Sequence, residues 1–139
     1  KIENLLKNRE VLREKFSKEM VLKPSNIVVT SMEEKFLQNV IKTLEDKMQD
    51  NSFSVEMLAR EVNMSRSQLH RKLQALTNKS ATEFIRTFRL GRAMEMIMQI
   101  AGSIAEIAYK VGFSSPSYFN KLFLQYYGIT PGQVKANLL

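Results

Sequence analysis

The chain has 139 residues, of which 44% are hydrophobic, and it carries a formal net charge of +7. This apolar content is enough for one compact core or two small ones and is not typical of a disordered chain. The absence of cysteine excludes disulfides and thiolate metal sites, and it suits the cytoplasm, where we expect the protein to act. No apolar stretch approaches the roughly 20 residues needed to span a membrane, so we expect no membrane contact by this segment.

The positive charge is unevenly distributed along the chain. Residues 1–50 hold ten of the 21 Lys and Arg residues and nine of the 14 Asp and Glu residues, which leaves eleven against five in residues 51–139. Such a basic excess is typical of a surface that meets a polyanion, for example a nucleic acid. Charge alone leaves a solvated basic surface without a partner as the alternative.

The first helical pattern, in residues 1–19, is charged and amphipathic, and the segment around Pro24 interrupts it. The chain begins at Lys1 rather than Met. We therefore expect residues 1–30 to be a linker helix and connector that follow a missing upstream domain. A helix docked on the rest of the chain is the alternative.

Seven further helices are predicted from their starts. In a capping box, Ser or Thr is followed three residues later by Glu or Gln, because the two side chains satisfy each other's free backbone amides. The boxes begin at Ser31, Ser65, Ser80, Ser103 and Thr130. Simpler starts occur at Ser54 and Ser115. The predicted helices cover 31–50, 54–62, 65–77, 80–101, 103–111, 115–127 and 130–137, and without sustained period-two alternation the chain is predicted to be all-α.

A sequence repeat organises these helices. SVEMLAREVNMS from Ser54 matches SIAEIAYKVGFS from Ser103, and RSQLHRKLQALTNKSATEF from Arg66 matches PSYFNKLFLQYYGITPGQV from Pro116. In each copy a short amphipathic helix is followed by Asn63 or Gly112, which readily adopt the left-handed conformation that ends a helix in a sharp turn. Each copy therefore predicts a helix-turn-helix, two helices joined at a steep angle.

The second helix of each copy has one apolar and one polar face. The apolar residues are Leu69, Leu73 and Leu76 in the first copy and Phe119, Phe123 and Tyr126 in the second. The opposite faces carry hydrogen-bonding and cationic side chains and no carboxylate, which suits base edges and phosphates in a major groove. With Arg86 from the connecting helix, the predicted DNA-binding residues are Arg66, Ser67, His70, Arg71, Gln74, Arg86, Ser117, Asn120, Lys121 and Gln125.

The segment between the copies predicts a long connecting helix. About 20 residues at about 1.5 Å each give roughly 30 Å, and successive major-groove faces of DNA lie about 34 Å apart. Such a helix can hold both polar faces against one side of a duplex. We expect it to pack on the two units through Phe84, Ile85, Phe88, Ile97 and Ile100, and Arg89 is a second candidate phosphate contact.

The repeat, FIRTFRLGRA between its copies, and the stretches AEIAYKVGFSSPSYFNKLF and YYGITP resemble the DNA-binding domain of the AraC/XylS family of bacterial transcription regulators. The resemblance covers residues 31–139. It implies a seven-helix domain with two helix-turn-helix subdomains joined by a long central helix, which binds double-stranded DNA. It also implies that the recognition-helix residues in the repeat contact bases.

The segments REVLREKFSKE and IVVTSMEEKFL resemble the connection between a receiver domain and this module in two-component proteins, including hybrid sensor kinases. This implies control by an upstream phosphorelay and, for a hybrid sensor, a membrane anchor elsewhere in the full-length protein. The expected partners are double-stranded DNA and the upstream receiver or sensor domain. RNA polymerase and a second copy of the chain are further candidates, and no cofactor or metal is expected.

Two function classes other than DNA binding are an enzyme and a protein-protein interaction module. The single histidine, His70, has no cysteine or acidic cluster near it in the sequence, so we do not expect an enzyme. A helical protein-protein interaction module is the alternative, supported by the aromatic residues between Phe113 and Tyr127. Their helical spacing favours core packing, with Tyr118 and one of the pair Tyr126/Tyr127 expected at the surface.

Overall fold

The computed structural model describes residues 30–139, and seven helices account for the regular structure in this range. Their bounds are α1 (Ser31–Lys47), α2 (Val55–Glu61), α3 (Arg66–Thr77), α4 (Ala81–Met98), α5 (Ile104–Lys110), α6 (Pro116–Tyr127) and α7 (Pro131–Leu138). The predicted all-α fold is confirmed. It has two helix-turn-helix units, α2–α3 and α5–α6, joined by the long helix α4. The linker predicted for residues 1–30 lies outside the described residues apart from Thr30.

The helix starts follow the capping rule, with two corrections. At Ser80 only half of the predicted box forms, because the Glu83 carboxylate accepts from the Ser80 hydroxyl at 3.3 Å and not from its backbone amide.

The hydroxyl of Thr30, not Ser31, caps α1 by accepting the Glu33 amide at 3.2 Å, and the Glu33 carboxylate accepts the Thr30 amide at 3.3 Å. Two overlapping pairs, Thr30 with Glu33 and Ser31 with Glu34, satisfy the same spacing. Only the backbone conformation separates them, because the capping residue is extended whereas the next residue is already helical.

Two helices end three residues earlier than predicted. Helix α1 ends at Lys47 rather than residue 50, where the Asp50 carboxylate accepts bonds from the Ser52 amide at 2.9 Å and hydroxyl at 2.6 Å. Helix α4 ends at Met98, and Ile100 has a φ of 53°. The expectation that Ile100 packs on a subdomain is wrong, because after this left-handed turn its side chain is 49% exposed.

Helix α4 is shared by two hydrophobic cores. Its first half, including Phe84, Ile85 and Phe88, packs with α1, α2 and α3. Its second half, including Ile97, packs with α5, α6 and α7. Because one continuous helix enters both cores, the position of each helix-turn-helix unit is fixed relative to the same rigid element.

The second core contains a row of aromatic rings. Phe113, Phe119, Phe123 and Tyr127 are buried, with successive ring centroids 5.2, 5.6 and 4.7 Å apart. The sequence placed Tyr126 in this core, but Tyr127 is the buried member of the pair and Tyr126 is half-buried. Tyr118 lies at the surface as predicted. The aromatic cluster is therefore mainly core and not an open partner groove.

Both helix-turn-helix corners contain a left-handed residue, as predicted. Asn63 has a φ of 59° and Gly112 a φ of 94°. At Gly112 the requirement is also spatial, because an added Cβ would lie 2.1 Å from the Met48 carbonyl oxygen and 2.9 Å from Arg89 Cζ. The second corner is therefore in direct contact with the end of α1 and with α4.

We predict that Gly112→Ala lowers the free energy of unfolding by more than about 3 kcal/mol, because strain at positive φ adds to a backbone clash. The matched control is Gly128→Ala, where φ is 74° but no atom lies within 4 Å of the added Cβ. This control should cost only about 1 kcal/mol. Urea unfolding measures both changes, and equal losses in the two variants would contradict the close approach at Gly112.

Candidate nucleic-acid interface

Helices α3 and α6 are the second helices of the two helix-turn-helix units, and we call them the reading helices. Both place their polar faces in solvent. Leu69, Leu73, Phe119 and Phe123 are fully buried on the opposite faces. All of the predicted DNA-binding residues are exposed: Arg66, Ser67, His70, Arg71, Gln74, Arg86, Ser117, Asn120, Lys121 and Gln125. The two-sided pattern seen in the sequence is therefore realised in the fold, and every candidate side chain is accessible to a ligand.

Local sequence fixes where each reading helix begins and ends. Helix α3 starts behind the Ser65–Gln68 capping box and stops at Asn78, which has a φ of 61°. Helix α6 starts behind Ser115, with Pro116 as its first residue, and stops at Gly128. The N-terminal ends, which carry Arg66 and Ser117, combine the positive end of a helix dipole with donor side chains.

The two reading helices border one side of α4. A depression next to α3 is lined by Arg66, His70, Arg71 and Thr82, among others. A second depression, between α4 and α6, is lined by Thr82, Arg86, Tyr118 and others. Thr82 borders both depressions, so they are neighbours on the molecular surface. We call the surface that includes the exposed faces of α3 and α6 and the α4 residues Thr82 and Arg86 the reading surface.

Arg86 lies on the part of the reading surface that adjoins α6. Besides the depression shared with Tyr118, it borders a third one together with Lys79, Glu83 and Gln125. Within residues 30–139 the guanidinium of Arg86 makes no hydrogen bond or ion pair, so its charge is available to a ligand. The phosphate contact predicted for Arg86 therefore stays a prediction for an accessible side chain.

Arg89 forms contacts within the protein and is not available for the phosphate contact considered for it. One terminal nitrogen donates to the Gly112 carbonyl at 2.8 Å and the other to the Asp50 carbonyl at 3.1 Å. Burial lowers the pKa of the guanidinium, which the Asp50 carboxylate partly opposes. Arg89 therefore joins the α1–α2 turn, α4 and the α5–α6 corner, and it is not a free surface cation.

Arg92 is the third arginine of α4, and it too is structural. It forms ion pairs with Glu45 of α1 and with Glu95, and its guanidinium lies 4.9 Å from the centroid of the Phe88 ring. These contacts fasten α1 to α4. Among the three arginines Arg86, Arg89 and Arg92, sequence spacing alone could not tell which one stays free.

Glu56 is the residue at this surface that sequence reasoning missed. It is the second residue of α2, and its carboxylate forms an ion pair with the Arg66 guanidinium at the start of α3. The face of α3 itself has no carboxylate, as predicted, but the neighbouring helix supplies one. Only the angle between α2 and α3 brings these residues together, so no local sequence signal marks the pair.

A family profile described as a helix-turn-helix domain matches residues 58–137. Histidine kinase P4 of Formosa agariphila is 38% identical over 133 residues, which is 96% of this chain. The regulator MtrA of Neisseria gonorrhoeae is 30% identical over 78% of the chain. This chain belongs to the AraC-type helix-turn-helix family. It spans only 10% of the kinase and 36% of MtrA.

Solved structures give the same family. An AraC-type transcriptional regulator of Chromobacterium violaceum superposes with a TM-score of 0.70 at 25% identity and covers 78% of this chain and 96% of its own. The DNA-binding domain of AdpA, solved with a target DNA, gives a TM-score of 0.65 at 28% identity and covers 73% of this chain and 89% of its own.

From residue 30 onwards, no helix is both long and apolar enough to cross a bilayer. In the same range, no group of three or more His, Cys, Asp or Glu side chains is arranged to hold a metal ion.

The acid dependence of stability follows from three exposed carboxyl groups. Hydrogen bonds from Ser52 lower the pKa of Asp50, its own backbone amide lowers the pKa of Glu56, and hydrogen bonds from Ser103 lower the pKa of Glu106. A lowered folded-state pKa stabilises the fold above the unfolded value, and this contribution is lost as the pH falls through the folded-state pKa.

We therefore predict that the urea midpoint falls on acidification from about pH 5 to about pH 3. Glu106→Gln should flatten part of this fall, because glutamine can accept the same hydrogen bonds from Ser103 but does not titrate. Unfolding curves at several pH values measure the effect. A decline in Glu106→Gln that runs parallel to that of the unaltered protein would contradict the assignment.

Proposed function

We propose that this chain is the DNA-binding output module of a transcription regulator. In this proposal α3 and α6 enter adjacent major-groove segments on one side of a double-stranded DNA. The observation that carries the proposal is the reading surface, on which Thr82 borders both the depression beside α3 and the depression beside α6, and Arg86 lines the one beside α6. Helix α4 has 18 residues, or about 27 Å, so it is shorter than the roughly 30 Å predicted but still close to one duplex turn.

The proposed roles follow from side-chain chemistry. Arg66, Arg71 and Lys121 can donate to guanine O6 and N7, and Asn120 can pair with the adenine edge. The remaining proposed contacts to bases or backbone come from Ser67, His70, Gln74, Ser117 and Gln125. Arg86 is assigned to a phosphate, because it is exposed on α4 beside α6 and lies outside the two reading helices. The target DNA present in the AdpA structure supports this use of the fold.

We further propose that an upstream receiver or sensor domain controls this module through phosphorylation. The support is the similarity to histidine kinase P4, which extends over 96% of this chain. The module would then act in the cytoplasm, where it meets DNA. RNA polymerase and a second copy of the chain are further proposed partners, the former because a regulator acts on transcription initiation.

The reading surface favours DNA over the alternative of a helical protein-interaction module. The aromatic side chains that could have formed a partner groove are largely in the second core, with Phe119 and Phe123 fully buried. What remains exposed on α3 and α6 is mostly polar and cationic, and the large exposed apolar or aromatic side chains there are Tyr118 and Leu124 of α6. Such a surface suits a polyanion and has no large apolar anchor set for a polypeptide.

The first test of the proposal is salt dependence. Affinity for double-stranded DNA should fall linearly with the logarithm of salt concentration, with a slope of about −0.9 for each phosphate contacted. Fluorescence anisotropy with a labelled duplex at several salt concentrations measures the slope. Absence of duplex binding at low salt, or an affinity that salt leaves unchanged, would contradict the proposal.

The second test is Arg71→Ala on a duplex selected from random sequence. Loss of a base contact should weaken specific binding by roughly 1–3 kcal/mol and relax the sequence preference at one position. Lys42→Ala is the control, because it removes one positive charge from α1, outside the reading helices. Unchanged sequence preference in Arg71→Ala would exclude Arg71 as a base-reading residue.

A further inference from the structure

Arg89 lies at the point of α4 where the first hydrophobic core ends and the second begins. Phe88 is the last α4 residue of the first core, and Leu90 is the first α4 residue of the second core. Gly91 follows inside the same helix, and glycine is among the poorest helix formers. The boundary between the two helix-turn-helix units therefore coincides with a stretch of α4 that is weakened by a glycine.

Few contacts join the two units directly. Among residues 30–139, the extensively packed helix pairs include α4 or lie on one side of this boundary, and none joins α1, α2 or α3 to α5, α6 or α7. The units meet where the α1–α2 turn approaches the α5–α6 corner. There the partly buried Met48 packs against both cores, and Arg89 donates hydrogen bonds to the Asp50 carbonyl at 3.1 Å and the Gly112 carbonyl at 2.8 Å. We call these two hydrogen bonds the Arg89 bridge.

The Arg89 bridge fixes its two acceptors relative to each other. They are bound by different terminal nitrogens of one guanidinium, which is planar and rigid. Both acceptors are backbone carbonyls, which move with the units to which they belong. Because hydrogen bonds weaken steeply when their distance and angle depart from the preferred values, a rotation of one unit against the other breaks at least one of the two bonds.

The spacing of the two DNA segments determines which orientation of the units is needed. In the proposed complex α3 and α6 enter neighbouring segments of one duplex. One extra base pair between these segments turns one of them by about 35° around the DNA axis and moves it by about 3.4 Å. To occupy both segments, the second unit would have to follow this rotation, and the Arg89 bridge would break. A hydrogen bond from a charged group changes an equilibrium by roughly tenfold or more.

Building on the proposed DNA binding, we propose that Arg89 determines which spacing between the two DNA segments the module accepts. It holds α3 and α6 in one relative orientation. A site with the matching spacing binds without any change in the protein, whereas binding to a site with another spacing first has to break the Arg89 bridge. Arg89 acts through the orientation of the units, so it is a positioning residue and not a DNA contact.

The test compares Arg89→Met with Lys135→Met. Lys135 also donates to a backbone carbonyl, that of Gly102 at 3.4 Å, but both partners lie on the same side of the boundary. Each variant is titrated with a duplex selected by the unaltered protein and with the same duplex lengthened by 1 bp between the two segments. In Arg89→Met the ratio of the two affinities should fall roughly tenfold, because the lengthened duplex no longer has to break a bridge. Lys135→Met should leave that ratio unchanged.

Two further measurements separate orientation from other effects. Duplexes that carry only one of the two segments need no fixed orientation, so Arg89→Met and Lys135→Met should bind each of them about equally. Arg89→Lys keeps the charge but donates from one nitrogen instead of two, so its ratio should lie between those of Arg89→Met and the unaltered protein. Thermal unfolding checks that each variant is folded.

Two outcomes overturn the inference while leaving the proposed function intact. One is a ratio in Arg89→Met that equals that of the unaltered protein, and the other is a ratio that falls as far in Lys135→Met. If Arg89→Met does not fold, Arg89→Lys decides, and an unchanged ratio in that variant overturns the inference. If the unaltered protein binds neither duplex, the proposed function fails and the inference fails with it.

Discussion

The Arg89 guanidinium makes the contact on which the relative placement of the two helix-turn-helix units depends. It reaches from the central helix to two backbone carbonyls, one in the α1–α2 turn and one at the α5–α6 corner, at 3.1 and 2.8 Å. Gly112 makes this possible, because any Cβ at that position would occupy the space of the guanidinium and of the Met48 carbonyl. The Arg89 guanidinium joins three segments that are distant in sequence, and the absence of a side chain at Gly112 leaves room for it.

The two cores explain why such a junction is needed. Each core packs on a different half of α4, and the partly buried Met48 is a side chain that contacts both. Hydrophobic packing alone therefore stabilises each unit on α4 but provides little contact between the units. Hydrogen bonds from Arg89 are directional, so they can restrict the angle between the units in a way that packing against a common helix does not. Arg92 adds to this by joining α1 to α4 through its ion pair with Glu45, while its guanidinium also lies on the Phe88 ring of α4.

Much of this architecture could be predicted from the sequence, because its strongest signals are local. Helix starts at Ser54, Ser65 and Ser103, the left-handed corners and the buried stripes all follow from short-range spacing. The repeat then identified the two units as equivalent. Errors occurred where two local solutions compete, as for Thr30 and Ser31 at the start of α1, or for Tyr126 and Tyr127 at the end of α6.

The candidate site was less predictable, because charged residues acquire partners only in three dimensions. Arg86 and Arg89 are three residues apart on α4 and were equivalent candidates for a phosphate contact. In the fold, Arg89 donates hydrogen bonds to backbone carbonyls, whereas Arg86 remains exposed at the surface. Likewise, the polar face of α3 was described correctly residue by residue, yet the carboxylate nearest to Arg66 comes from α2. Such pairs depend on helix crossing angles that no sequence period encodes.

The central claim is that a rigid connection presents α3 and α6 to one side of the same duplex. The most direct test is helical phasing: a selected site is lengthened between the segments read by α3 and α6, by 5 bp or by 10 bp, and the affinities are compared. Insertion of 5 bp turns one segment to the opposite side of the DNA. If the connection between α3 and α6 is rigid, this insertion reduces binding to the level of a single half-site. Hydroxyl-radical protection then remains on one segment only. Full affinity with both segments protected after a 5-bp insertion would contradict the rigid arrangement.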